Sequence, residues 1–165
     1  MRAERPFRLA TLILLTSWMA ACGIPRDPQD SLRRITQTRV LRAGFTVHEP
    51  WVRYSGGATP EGPEADLVAA FGESLGARVE WQRGSETQLF EALRTFELDI
   101  AIGGFDQDNP WASEVGTTRA YVEHNARRHV IALPPGENRL VTEFERMLRA
   151  RAPAMAAAVG GKHLS

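Results

Sequence analysis

Apolar and polar positions along this chain follow two periods, and together they predict alternating strands and helices. The longest near-continuous apolar run is Leu98-Asp99-Ile100-Ala101-Ile102-Gly103-Gly104-Phe105. A run of that kind closed by paired glycines reads as a strand buried on both faces, at the centre of an α/β sheet. The carboxyl end of such a strand is where open α/β sheets place ligands, and glycines there let a ligand approach the backbone.

The rest of the chain reads in order around that strand. Asp30 or Ser31 caps a short helix, Leu32 to Thr38, leading into a strand at Val40 to Thr46. Pro63 and Glu64 open a second helix with acidic residues in its first turn, and Leu67, Val68, Phe71 and Leu75 form its buried stripe. Gly76 suits the position just past that helix, and Ala77 to Trp81 reads as a strand. Ser85-Glu86-Thr87-Gln88 has the form of a capping box; Leu89, Phe90, Leu93 and Phe96 supply the buried face of the helix it starts. Strand, helix, strand, helix, strand makes a right-handed parallel βαβαβ unit. Further strands are expected at Tyr121 to Asn125 and His129 to Leu133, with a last amphipathic helix from Leu140 ending near Pro153. Residues 154–165 read as a flexible tail.

The first residues change the picture of where the protein works. Arg2, Arg5 and Arg8 precede a mostly apolar stretch from Leu9 to Trp18, shorter than the ~20 residues of a membrane-spanning helix. Met19-Ala20-Ala21-Cys22 then resembles a bacterial lipobox, which implies acylation of Cys22, the only cysteine, and cleavage before it. Gly23 after the cysteine favours the outer membrane by the same resemblance. Residues 1–21 thus read as a lipoprotein signal peptide, 22–29 as a proline-rich tether and 30–153 as one domain. The whole chain is neutral, with 20 basic and 20 acidic residues. Removing Arg2, Arg5 and Arg8 against Glu4 leaves about −2, which excludes a nucleic-acid footprint.

Several stretches together resemble the first lobe of the type 2 periplasmic solute-binding proteins, family 3, the polar amino-acid group. They are Ser31 to Ile35 leading to Val40 to Gly44, Glu49-Pro50-Trp51, Gly62 to Leu67, Leu75 to Trp81, Leu93, and Leu98 to Gly104. The similarity resumes from His129 to Leu148. It implies an α/β fold that is a single lobe of such a protein, a central mostly parallel sheet with helices on both faces. In the family the chain leaves the first lobe after a Pro-Tyr pair and builds a second. Here Ala120-Tyr121 stands at that exit and His129 follows almost at once, so the second lobe is absent. The family's carboxylate-gripping threonine and arginine align with Asp106 or Asp108 and with Trp111. An indole cannot replace the bidentate grip of a guanidinium.

These readings converge on one edge of the sheet. His48, Trp51, Gly103, Gly104, Phe105, Asp106, Asp108, Trp111 and Tyr121 are the candidate ligand-binding residues. Trp51, Phe105 and Trp111 are expected to form an exposed apolar rim, and His48, Glu49, Asp106 and Asp108 to gather acceptors suited to a cationic solute. No recognised metal spacing, cofactor motif or catalytic constellation is present, so neither metal, cofactor nor enzyme activity is expected. The function implied is a lipid-anchored extracytoplasmic solute-binding component, or accessory, of a membrane transport system. It would bind a small polar solute or the transporter. The alternative is an interaction or sensor module docking a membrane or protein partner through the same cleft.

Overall fold

The computed structural model describes residues 27–164. The signal segment, Cys22 and most of the tether lie outside the described residues. The described elements are α1 (Ser31–Thr38), β1 (Val40–Phe45), α2 (Pro63–Ser74), β2 (Arg78–Arg83), α3 (Glu86–Arg94) and β3 (Ile100–Asp106). A 3₁₀ turn (Pro110–Ser113), β4 (Gly116–Thr117), β5 (Val122–His124), β6 (Arg127–Leu133), α4 (Asn138–Val159) and β7 (Lys162–His163) complete them.

The sheet is mixed, in the order β2-β1-β3-β6-β5-β7, with β4 also pairing β6. The expected βαβαβ unit forms the parallel half, where β1 pairs with both β2 and β3. The other half is antiparallel and grows from β6, which lies beside β3 and turns back through β5. Asn125 and Ala126 make that two-residue turn with φ of 51° and 60°, the twist a tight hairpin needs.

Alternation along the strands divides the core between two faces. Leu41, Ala43, Phe45, Ile100, Ile102, Ile131 and Leu133 pack with the stripes of α2 and α4. Phe71 meets Phe144 edge to face at 5.0 Å in that layer. On the opposite face Leu89, Phe90 and Leu93 of α3 cover Ala101, Phe105, Val130 and Ala132. α2 ends as expected: Gly76 has φ of 61°, and the Ala77 N–H reaches the Gly72 carbonyl at 2.8 Å. The capping box of α3 also forms, with the Ser85 N–H donating to Gln88 Oε1 at 2.9 Å.

Four local expectations are corrected. α1 is not capped by Asp30 or Ser31; the buried Glu137 carboxylate, far along the chain, accepts the Gln29 and Ser31 N–H groups at 2.7 Å each. Tether residues Asp27 to Gln29 are accordingly bonded to the segment 136–139. Phe96 lies beyond the end of α3, half-buried with φ of 59°. The last helix does not stop at Pro153. It runs on to Val159, because Pro153 sits on the exposed side while Ala152, Met155, Ala156 and Val159 continue the buried stripe. The expected flexible tail is therefore helix to Val159, then β7 paired against β5.

Candidate functional site

The site begins with a break in the regular pairing of β3. The register of β3 on β6 shifts between Ala101 and Phe105, and Gly104 takes φ of 61°. The shift turns two consecutive N–H groups to one side, where they converge on a single oxygen of Glu64. Gly103 donates to Glu64 Oε2 at 2.8 Å and Gly104 at 3.0 Å. The Tyr121 hydroxyl donates to the other oxygen, Oε1. Glu64 is fully buried in the first turn of α2, where the helix dipole favours a carboxylate. Burial raises its pKa above the ordinary carboxyl value, and the three donated hydrogen bonds offset part of that rise. Burial and the adjacent carboxylate hold the Tyr121 hydroxyl well above its own ordinary value.

The carbonyls of the same two glycines face the other way and each meets a histidine. His48 Nδ1 lies 2.8 Å from the Gly103 carbonyl, and His129 Nδ1 lies 3.0 Å from that of Gly104. A carbonyl only accepts, so each Nδ1 carries a proton, and in the neutral tautomer the Nε2 of each ring is an acceptor. Burial lowers the His129 pKa, against the opposing pull of the Gly104 carbonyl, of Asp106 and of the His124 backbone. Its ring lies on the indole of Trp51, with centroids 4.2 Å apart.

Two adjoining depressions open at this edge. The first, about 340 Å³, is lined by His48, Gly103, Gly104, Phe105, Asp106, Asp108 and Trp111, together with Glu86, Asn109, Pro110 and Arg127. The second, about 370 Å³, runs between the loop His48 to Trp51 and the β5–β6 turn, past His124, Asn125 and His129. His48 and Arg127 border both. Asp106 accepts the Asp108 N–H at 3.1 Å and lies 3.8 Å from Arg127. Asn109 bonds Glu86 and caps the 3₁₀ turn that carries Trp111. Among the described residues, no group of three or more His, Cys, Asp or Glu side chains is placed to hold a metal ion.

The structure thus gathers seven of the nine candidate residues at one cleft and places Trp51 along the adjoining groove. Tyr121 lies behind them on Glu64. The exposed aromatic rim is corrected. Trp51 is 1% exposed, Phe105 packs edge to face on Phe90 beneath the sheet, and Trp111 alone of the three stands in solvent, 44% exposed. The sequence pattern marked Glu64 only as a helix-opening acid and His129 only as the start of a strand, and it did not single out Arg127. Partners for these three come from distant segments, which no local pattern records.

The sequence profile of the bacterial extracellular solute-binding proteins, family 3, matches residues 41–157. The chain belongs to that family. Among the described residues no helix is long and apolar enough to cross a membrane. The chain is also similar to membrane-bound lytic murein transglycosylase F of Alteromonas mediterranea, 28% identical over 102 residues, which cover 61% of this chain and 22% of that protein. It therefore spans about a fifth of the curated relative it matches. Among solved structures, the arginine-bound form of domain 1 from TmArgBP superposes with a TM-score of 0.63 at 18% identity, covering 71% of this chain and 97% of that one. The ancestral amino acid-binding protein AncCDT-1, a precursor of cyclohexadienyl dehydratase, superposes with 0.66 at 12% identity over 78% and 98%. These likenesses establish the fold, a single lobe of a solute-binding protein.

Proposed function

We propose that this protein is a lipid-anchored, single-lobe solute receptor on the extracytoplasmic side of a bacterial membrane, binding rather than transforming its ligand and serving a membrane transport system. The cleft at the carboxyl end of β3 carries this reading. In a chain of a solute-binding family, backbone, imidazole, carboxylate and one exposed indole converge there. A single wall is compatible with ligand capture, since domain 1 of TmArgBP is described in an arginine-bound form. Lipidation at Cys22 would keep the receptor beside its transporter. Isothermal titration of the mature protein against amino acids, amines and small sugars tests this; saturable heat from one class is the expected outcome.

The openness of the cleft favours a second reading, in which the same edge docks a protein or membrane partner. Capture of one membrane protein, with no heat from any solute, would select it.

A further inference from the structure

We propose that the histidine-lined groove beside the cleft holds the ammonium group of a small amine that carries no carboxylate. The proposal rests on the solute-binding reading and names the ligand class.

The first observation is His129. Its side chain is 3% exposed, its Nδ1 is bonded to Gly104, and its Nε2 has no hydrogen-bond partner, while the ring lines the groove. A buried acceptor without a partner is unfavourable, and a ligand N–H removes that cost. His48 borders the same groove with its Nδ1 also committed to a glycine carbonyl; the residue is exposed, so its Nε2 is an acceptor open to water or to a ligand. An ammonium carries three donors and no acceptor, which complements two imidazole lone pairs. A carboxylate, which only accepts, gains nothing from either nitrogen.

Charge is the second observation, independent of the first. The groove itself is bordered by one carboxylate, Glu49, and by Arg127; the adjoining cleft adds three more carboxylates, Glu86, Asp106 and Asp108, around the same guanidinium. That guanidinium is already within 3.8 Å of Asp106. The excess attracts a cation and opposes a ligand carboxylate. Trp111 at the far wall offers an exposed aromatic face to the remainder of the amine.

The test is isothermal titration of the mature protein with 1,4-diaminobutane, 4-aminobutanoic acid and free arginine, run beside a panel of amino acids and sugars. The diamine should bind, and 4-aminobutanoic acid should bind at least about tenfold more weakly. His48→Ala should weaken diamine binding by about tenfold at an unchanged melting temperature. Because His129 variants can fail to fold, its role is read in the unmodified protein by nitrogen-15 NMR: diamine should shift the Nε2 signals of both His48 and His129. Arginine or 4-aminobutanoic acid binding as tightly as the diamine would overturn the proposal and leave the receptor reading standing. Diamine binding with both Nε2 signals unmoved would overturn the assignment to this groove. No heat from any compound would overturn both.

Discussion

The indole of Trp51 lies on Gly104, so closely that a β-carbon at residue 104 would overlap the ring. Gly104 also has φ of 61°, a conformation that side-chain-bearing residues rarely adopt. One glycine thus lets the β3 bulge form and lets the tryptophan close over it. Gly104→Ala is expected to destabilise the domain by about 1–3 kcal/mol from overpacking alone, more with the backbone strain added. Denaturant unfolding measures it. A variant as stable as the parent would show that the bulge and the indole are not interlocked.

Glu64 should be the most sensitive polar position. Glu64→Ala leaves two buried N–H groups and the Tyr121 hydroxyl without their acceptor, each costing about 1–3 kcal/mol. Glu64→Gln keeps one oxygen for the glycines and offers an N–H to the tyrosine oxygen, so it should cost much less. The pH dependence follows from the raised pKa of Glu64. The folded state holds this proton more tightly than the unfolded chain, whose carboxyl titrates near 4.5. From there up to the folded value, this group's contribution to stability falls as pH rises. Unfolding of the parent and of Glu64→Gln across pH 4 to 8 should give a difference curve with that sign.

Particular residues show what the sequence could and could not disclose. The Ser85–Gln88 box, the Gly76 terminus and the α2 stripe rest on interactions within a few residues, and each forms where the pattern places it. Glu137 capping α1 spans more than a hundred residues, and no local rule reports it. Pro153 was misleading because its weight as a helix breaker exceeded the continuing spacing of Phe144, Leu148, Ala152, Met155 and Val159. The cleft was legible at its backbone, through Gly103 and Gly104, and in the chemistry of His48, Asp106 and Asp108. Trp51 was not, since an aromatic residue beside a glycine-lined strand end reads equally as a solvent-facing platform or as the lid on that glycine.

The core beneath α3 provides a check on the fold alone. Leu93 is fully buried among residues of the second face. Leu93→Ala should cost about 2–5 kcal/mol in chemical denaturation.

Cys22 gives the prediction on location. If the residue is acylated, the mature protein partitions into detergent and mass spectrometry finds lipid on its new N-terminus. Cys22→Ser should leave the precursor unprocessed or release the protein in soluble form. An unmodified N-terminus downstream of residue 22 would remove the anchor from the proposed function and leave the binding site untouched.

The two tryptophans of the cleft should separate stability from recognition. Trp51 is enclosed by His129, Tyr121 and His124, with ring centroids at 4.2, 5.8 and 6.0 Å. Trp51→Ala is therefore expected to cost about 3–5 kcal/mol, as deletion of a buried aromatic does, and to weaken binding as well by removing part of the groove's lining. Trp111 stands on a short 3₁₀ turn with nearly half of its surface in solvent. Trp111→Ala should change stability by no more than about 0.5 kcal/mol. A cation held against its face contributes about 0.5–2 kcal/mol, so its loss should weaken ligand binding by about 2- to 30-fold. Thermal unfolding and titration on each single variant read the two effects apart. A Trp111→Ala protein that binds as tightly as the parent would take the exposed indole out of the site, whereas a sharp fall in its melting temperature would mean that it packs as core.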